Sequence, residues 1–163
     1  MSAQLAENPV DSIFDGMNDA HTTLIDAIHG FDVMLEKAEP EICQILLLTR
    51  QTNKRQAEEL KAFLGRRGHS ASDDGSFMSL VHEGVVRTRA LFTDIDGDIL
   101  PAVADGERRI LSCYDDVLEN LVKKIDQIPA GTFDSMHTLL LTHRGEIENL
   151  IRDQEARHEM LDS

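Results

Sequence analysis

The sequence predicts an all-α fold, four long amphipathic helices packed into one bundle, and three observations carry the prediction. Apolar residues recur at alternating steps of three and four over four separate stretches, the seam pattern of helices packed on helices. The breaks within the first pair and within the last pair are short and marked by Pro40 and by Pro129-Ala130-Gly131, which makes each pair antiparallel. At 163 residues with 41% hydrophobic side chains, the chain has material for one sizeable core and needs no covalent staples.

Met1 to Val10, polar and containing Pro9, reads as a flexible N-terminal arm, and residues 11–163 as a single bundle domain. From Asp11 to about Lys37, the residues Phe14, Met17, His21, Leu24, Ile28, Phe31 and Leu35 define helix one. Pro40 suits the opening of helix two, because its missing N–H would be unbonded there anyway. That helix carries Ile42, Ile45, Leu46 and Leu48 at one end and Ala57, Leu60, Phe63 and Leu64 at the other. The polar run from Thr49 to Gln56 interrupts its stripe. Gly65-Arg66-Arg67-Gly68 stops it, and His69 to Gly75 is a polar loop.

A shorter amphipathic segment with Phe77, Leu80, Val81, Val85 and Leu91 follows, with Ser76 as its N-cap. Asp94-Ile95-Asp96-Gly97-Asp98 superficially resembles a calcium loop. Its register fails, because Ile99 falls where the sharp-turn glycine belongs and Asp105 where a bidentate glutamate belongs, so the run is read as a capped helix start. Helix three spans Asp98 to Ile128 on Leu100, Val103, Glu107, Ile110, Tyr114, Val117, Leu121 and Ile128. Thr132 caps helix four, whose seam is Phe133, Met136, Leu140, His143, Ile147 and Leu150, running to around His158. Some thirty residues separate helices two and three. A connector with a short helix of its own can travel the length of a bundle, so these two helices run in the same direction in a ferritin-like connectivity; an ordinary up-down bundle is the competing topology.

A net charge of −14 repels phosphate backbones and anionic lipid surfaces. The basic pairs Lys54-Arg55 and Arg66-Arg67 are not interleaved with aromatics, and aromatic content is 4% with no tryptophan, which argues against a stacking platform for nucleic acid. No apolar run is long enough to span a bilayer, and no signal-peptide pattern opens the chain, so a cytoplasmic protein with no membrane partner is expected. Cys43 and Cys113 sit inside apolar helical patterns and suit buried free thiols of a reducing compartment.

Counting residues from the helix ends puts His21, Gln56, Tyr114 and His143 at similar depth, a buried hydrogen-bonded layer that fixes the register of the bundle. Glu107 belongs to the same interior and, being buried, needs partners or a proton. The sharper alternative is a metal site. Bundles of this kind bind paired iron or manganese through a Glu from each of two helices and a Glu-x-x-His from each of the other two. This chain has no Glu-x-x-His on helix two; helix four offers the reversed His143-x-x-Glu146 and helix one Asp26-x-x-His29. The partial ligand set is Asp26, Glu59, Glu107, His143 and Glu146, and the cations Lys54 and Arg55 oppose metal charge nearby. A haemerythrin-like site fails because helices two and three lack histidines, and Ser112, Cys43 and Cys113 lack a histidine at helical spacing for nucleophilic work. Glycine inside a helix costs about 1 kcal/mol against alanine, so Gly30, Gly106 and Gly145 suggest close approach of a neighbouring helix.

Gly75-Ser76-Phe77, Val81-His82-Glu83-Gly84, Asp105-Gly106-Glu107 with Tyr114, Asp26, Gly30-Phe31 and the helix end from Glu59-Leu60 to Gly68 together resemble the proteobacterial ferritin-like four-helix domain of unknown function, over about Asp15 to Ala156. The resemblance implies a ferritin-like bundle with a crossover helix carrying His82, a bacterial source and no established enzymatic activity. The chain departs from that pattern at Ala102, Val103 and Ala104, where family members carry more acid, and at Glu146, near which they often carry histidine. The expected protein is therefore a non-catalytic, self-associating helical bundle without a cofactor, with a stress-related or scaffolding role. The alternatives are an iron or manganese di-metal carboxylate protein with oxidase or storage activity, and an adaptor that meets a protein partner through the segment from Phe77 to Phe92.

Overall fold

The computed structural model describes residues 8–71 and 95–163. Four α-helices make up nearly all of it: α1 is Pro9–Leu35, α2 is Pro40–Gly65, α3 is Leu100–Lys123 and α4 is Ala130–Asp162. Short 3-10 turns, Gly97–Ile99 and Ile125–Gln127, flank α3. No strand occurs among the described residues. An isolated bridge joins Ala38 to Ile95, with Glu39 N–H donating to the Ile95 carbonyl at 2.9 Å and Ile95 N–H to the Lys37 carbonyl at 3.0 Å.

The helix starts follow local chemistry. Asn8 caps α1 through its side chain, which accepts from the Val10 N–H at 3.1 Å, and proline occupies the first turn, so the helix begins two residues before the apolar pattern does. Pro40 opens α2 as the sequence indicates. The Asp96 side chain accepts from Asp98 N–H at 2.9 Å, the capped start read from the Asp-rich run.

Two expected boundaries are corrected. Helix three does not run unbroken to Ile128: it ends at Lys123, and a 3-10 turn carries the chain on, a tightening common at helix C-termini that still returns Ile128 to the core. Thr132 does not cap the last helix, because Phe133 N–H already bonds the Pro129 carbonyl at 2.9 Å and places Thr132 within the first turn. The segment from Phe77 to Phe92, with Ser76 and His82, lies outside the described residues.

Side-chain pairs fix the helix directions. Ser12, near the start of α1, accepts from Asn120 near the end of α3 at 3.2 Å, while Phe31 packs with Val103 at the other end. These two helices are antiparallel. α2 and α4 are antiparallel as well, since Thr49 meets Gln154 at 3.0 Å and Glu59 meets His143 at 2.9 Å. α3 and α4 pair through Arg144–Asp115 at 2.5 Å and through Arg108–Glu155. α2 and α3 run the same way: Ile42 and Leu46 cluster with Leu100 and Val103, and further along both helices Asn53 meets Glu107.

The apolar core draws on all four helices, and between α1 and α3 it places Ile13, Phe14, Met17, Ala20 and Leu24 among Ile110, Val117 and Leu121. Here the backbones come close enough that a Cβ on Gly16 would stand 2.8 Å from Val117 Cγ2. The mid-helix glycines singled out in the sequence show no such crowding. A Cβ on Gly106 or Gly145 would meet nothing described within 4 Å, and on Gly30 only Met34 of its own helix at 3.9 Å. The tight approaches among the described residues are instead at Gly16 and at Gly97, against Leu161. Both cysteines are free, and each is half-buried rather than buried.

Candidate functional site: the polar seam of α2

The interruption in the apolar stripe of α2 is only chemical. Leu46, Thr49, Asn53, Gln56, Leu60 and Phe63 follow one another at steps of three and four, and all are buried. Polar residues thus occupy the middle of a continuous helix face that looks into the bundle. Each finds a partner on a neighbouring helix, as buried amide and hydroxyl groups must. Gln154 Nε2 donates to Thr49 Oγ1 at 3.0 Å. Asn53 Nδ2 donates to Glu107 Oε2 at 3.2 Å and to Gln56 Oε1 at 3.4 Å. Gln56 Nε2 in turn donates to the His143 carbonyl at 3.4 Å and to Glu146 Oε1 at 3.5 Å.

One turn further, Glu59 lies at the edge of the seam with its side chain 40% exposed and 2.9 Å from the Nε2 of fully buried His143. Tyr114, also fully buried, reaches His143 Nδ1 at 2.7 Å. The protons in this chain are dictated by charge. An ionised Glu59 can only accept, so His143 Nε2–H donates to it; a neutral imidazole then accepts at Nδ1 from the Tyr114 hydroxyl. The titration directions agree. Burial pulls the His143 imidazole below its ordinary value against the pull of Glu59. The hydrogen bond from His143 holds the Glu59 carboxyl below the usual carboxylate range, with Arg55 adding to it. Burial pushes the Tyr114 phenol up.

Arg55 closes the arrangement from the outside. Its Nη1 donates to Glu59 Oε1 at 2.8 Å and its Nη2 contacts Glu146 Oε2, so one guanidinium bridges the two carboxylates. Glu107 is less well served. Its Oε2 has the Asn53 amide, but Oε1 is buried without a hydrogen-bond donor, as is Asn53 Oδ1. Desolvation accordingly raises the Glu107 carboxyl to about 7, which Asn53 only partly offsets.

The residues expected to form a layer divide as follows. Gln56, Tyr114 and His143 come together directly, and Glu107 joins them through Asn53. His21 is buried at 1% exposure on α1. Of the candidate metal ligands, Glu59 and His143 touch, Glu146 stands across Arg55 from them, Glu107 is held by Asn53, and Asp26 is half-buried on α1, its carboxyl raised by desolvation against the charge of His29. No three of them converge. Among the described residues, only Asp98, His158 and Asp162 bring three ligand atoms within 4.8 Å of one another, and that set lies at the far end of α4, roughly 22 Å from His143 by helical rise. The five expected ligands therefore do not fit one bound ion as they stand, because they do not converge: Arg55 pairs with Glu59 and Glu146, and the Asn53 amide bonds Glu107.

Thr49, Asn53 and Gln154 belong to this seam and were not singled out from the sequence. The three-four spacing from Leu46 to Leu60 is the signal that identifies the first two. Gln154 follows His143, Ile147 and Leu150 at the same spacing on α4.

The α2–α4 seam is also the loosest in the bundle. A groove of about 950 Å³ opens beside Glu59, Phe63, Arg67 and Leu139, with the Arg67 guanidinium lying 3.6 Å over the Phe63 ring. A smaller one of about 310 Å³ opens at the opposite end beside Ile45, Leu48, Leu150 and Met160. Among the described residues no helix is long and apolar enough to cross a membrane.

No curated protein and no solved structure matches this chain. A family profile described as "Domain of unknown function (DUF2383)" matches residues 12–120, which covers α1, α2 and most of α3 and takes in Asn53, Arg55, Gln56, Glu59, Glu107 and Tyr114. That span is more than half of the chain, and the protein belongs to this family.

Proposed function

We propose that this protein is a non-catalytic, ferritin-like helical bundle of the bacterial cytoplasm with a scaffolding or stress-related role, assembling with copies of itself. The parallel course of α2 and α3 between antiparallel neighbours supports the ferritin-like reading. Self-association is supported by large apolar side chains left exposed on the outer faces of α2 and α4: Leu47, Leu48, Leu141, Met160 and Leu161. The observation that carries the non-catalytic reading is Arg55. Its guanidinium pairs with Glu59 and with Glu146 from within the protein, so these polar groups serve one another and fix register.

A second reading keeps one observation in its favour. Glu107 Oε1 lacks a donor deep in the bundle, and an iron or manganese ion bound through Asp26, Glu59, Glu107, His143 and Glu146 would supply a positive partner once Arg55 swung out. Elemental analysis of protein purified without chelator separates the two. The non-catalytic bundle carries no stoichiometric iron or manganese; stoichiometric metal that disappears in Glu107→Ala overturns it.

A further inference from the structure

We infer that Arg55 is the resident cation of a latent divalent-metal site, and that removing its guanidinium lets Glu59, His143 and Glu146 bind a zinc-type ion. The inference rests on the non-catalytic reading and says why the bundle needs no ion there. Two carboxylates and one imidazole stand around Arg55 on the α2–α4 seam, Glu59 touching His143 and Glu146 on the far side of the guanidinium, residue types that suit zinc with a water in the fourth position. What stands between them is a positive charge. Arg55 meets Glu59 on one terminal nitrogen and Glu146 on the other, while His143 Nε2 faces Glu59 at 2.9 Å.

The guanidinium acts on this set in two ways. It presents its two nitrogens to different carboxylates, and with it in place the ligand atoms of Glu59, His143 and Glu146 do not all come within 4.8 Å of one another. It also places a like charge where an ion would sit, which near a protein surface costs a divalent ligand at least about a hundredfold in affinity. The remaining parts of a metal site are present. Tyr114 holds the other ring nitrogen of His143 and so fixes the ring, and Gln56 Nε2 steadies Glu146 at 3.5 Å. Glu59 and Glu146 keep 40% and 31% of their side-chain surfaces exposed, which leaves them free to close on a smaller cation.

The test is zinc titration of the full chain by calorimetry, with cobalt absorption as a second readout, in wild type, Arg55→Ser, Arg55→Lys and Arg55→Ser/His143→Gln. The expected result is one equivalent bound by Arg55→Ser, at least about a hundredfold tighter than by wild type or Arg55→Lys, with tetrahedral cobalt bands that vanish in the double variant. A folded Arg55→Ser chain that gains no affinity overturns the inference, and so does wild type binding as tightly through His143. Should Arg55→Ser fail to fold by circular dichroism, Arg55→Gln carries the same comparison. Iron or manganese native to wild type and dependent on Glu107 ends the non-catalytic reading; the Arg55 comparison ends only on the zinc difference between variant and wild type.

Discussion

The α1–α3 and α2–α4 contacts hold their helices together by opposite means. Between α1 and α3 the facing residues are apolar and small enough at Gly16 for the backbones to close up against Val117. Between α2 and α4 the facing residues are Thr49, Gln56, Glu59, His143, Glu146 and Gln154, and the groove beside Phe63 and Leu139 stays open. Dispersion and hydrophobic burial are non-directional and improve with every approach, whereas hydrogen-bonded pairs hold their partners at fixed distances. One contact therefore supplies close packing, and the other specifies register through named pairs.

Three substitutions test how tightly the apolar contact is packed and what a buried polar group costs. The largest effect is expected from Leu24→Ala in the apolar region. Leu24 is fully buried, and its truncation should cost about 2–5 kcal/mol in urea unfolding. A loss below about 1 kcal/mol would show the α1–α3 core to be less tightly packed than described.

Next comes Glu107. Its folded carboxyl titrates at about 7 rather than the ordinary 4.5, so between those values the folded chain holds a proton that the unfolded chain has lost. Stability from this group is full below pH 4.5, falls as pH rises through 7 and is then constant, a loss of about 3 kcal/mol. Glu107→Gln removes the titration and keeps an acceptor for the Asn53 amide. The variant should exceed wild type by about 3 kcal/mol at pH 8 and nearly match it at pH 4, and equal stabilities at pH 8 would mean that Glu107 has a cationic partner. His143 works in the other direction, since its lowered folded value weakens the chain as pH falls, and the comparison with Glu107→Gln cancels it.

The smallest expected effect is at Gly16→Ala. The new Cβ would meet Val117 Cγ2 at 2.8 Å, and Val117 is itself buried, so a cost of about 1–3 kcal/mol is expected. Adding Val117→Ala should return part of it in a double-mutant cycle. Full additivity would place the two side chains out of contact.

The sequence by itself determined the four helices, the short turns within each pair and most of the core, because amphipathic spacing, proline and glycine act over a few residues and need no distant partner. Met17, Leu24, Ile110, Leu121, Leu140 and Ile147 are buried where their spacing puts them. It also identified Glu107, Tyr114 and His143 as interior, since they occupy positions in apolar seams, and Gln56 by counting its depth from the helix end. Only the tertiary structure decided what those groups face. Asn53 and Thr49 look like solvent-side residues until Glu107 and Gln154 arrive from other helices to bond them. Arg55, which the sequence offered only as a charge near a candidate site, becomes the group that joins Glu59 to Glu146. Likewise, Gly16 rather than Gly30, Gly106 or Gly145 marks the close helix contact, because crowding depends on what packs opposite and a sequence records only what lies alongside.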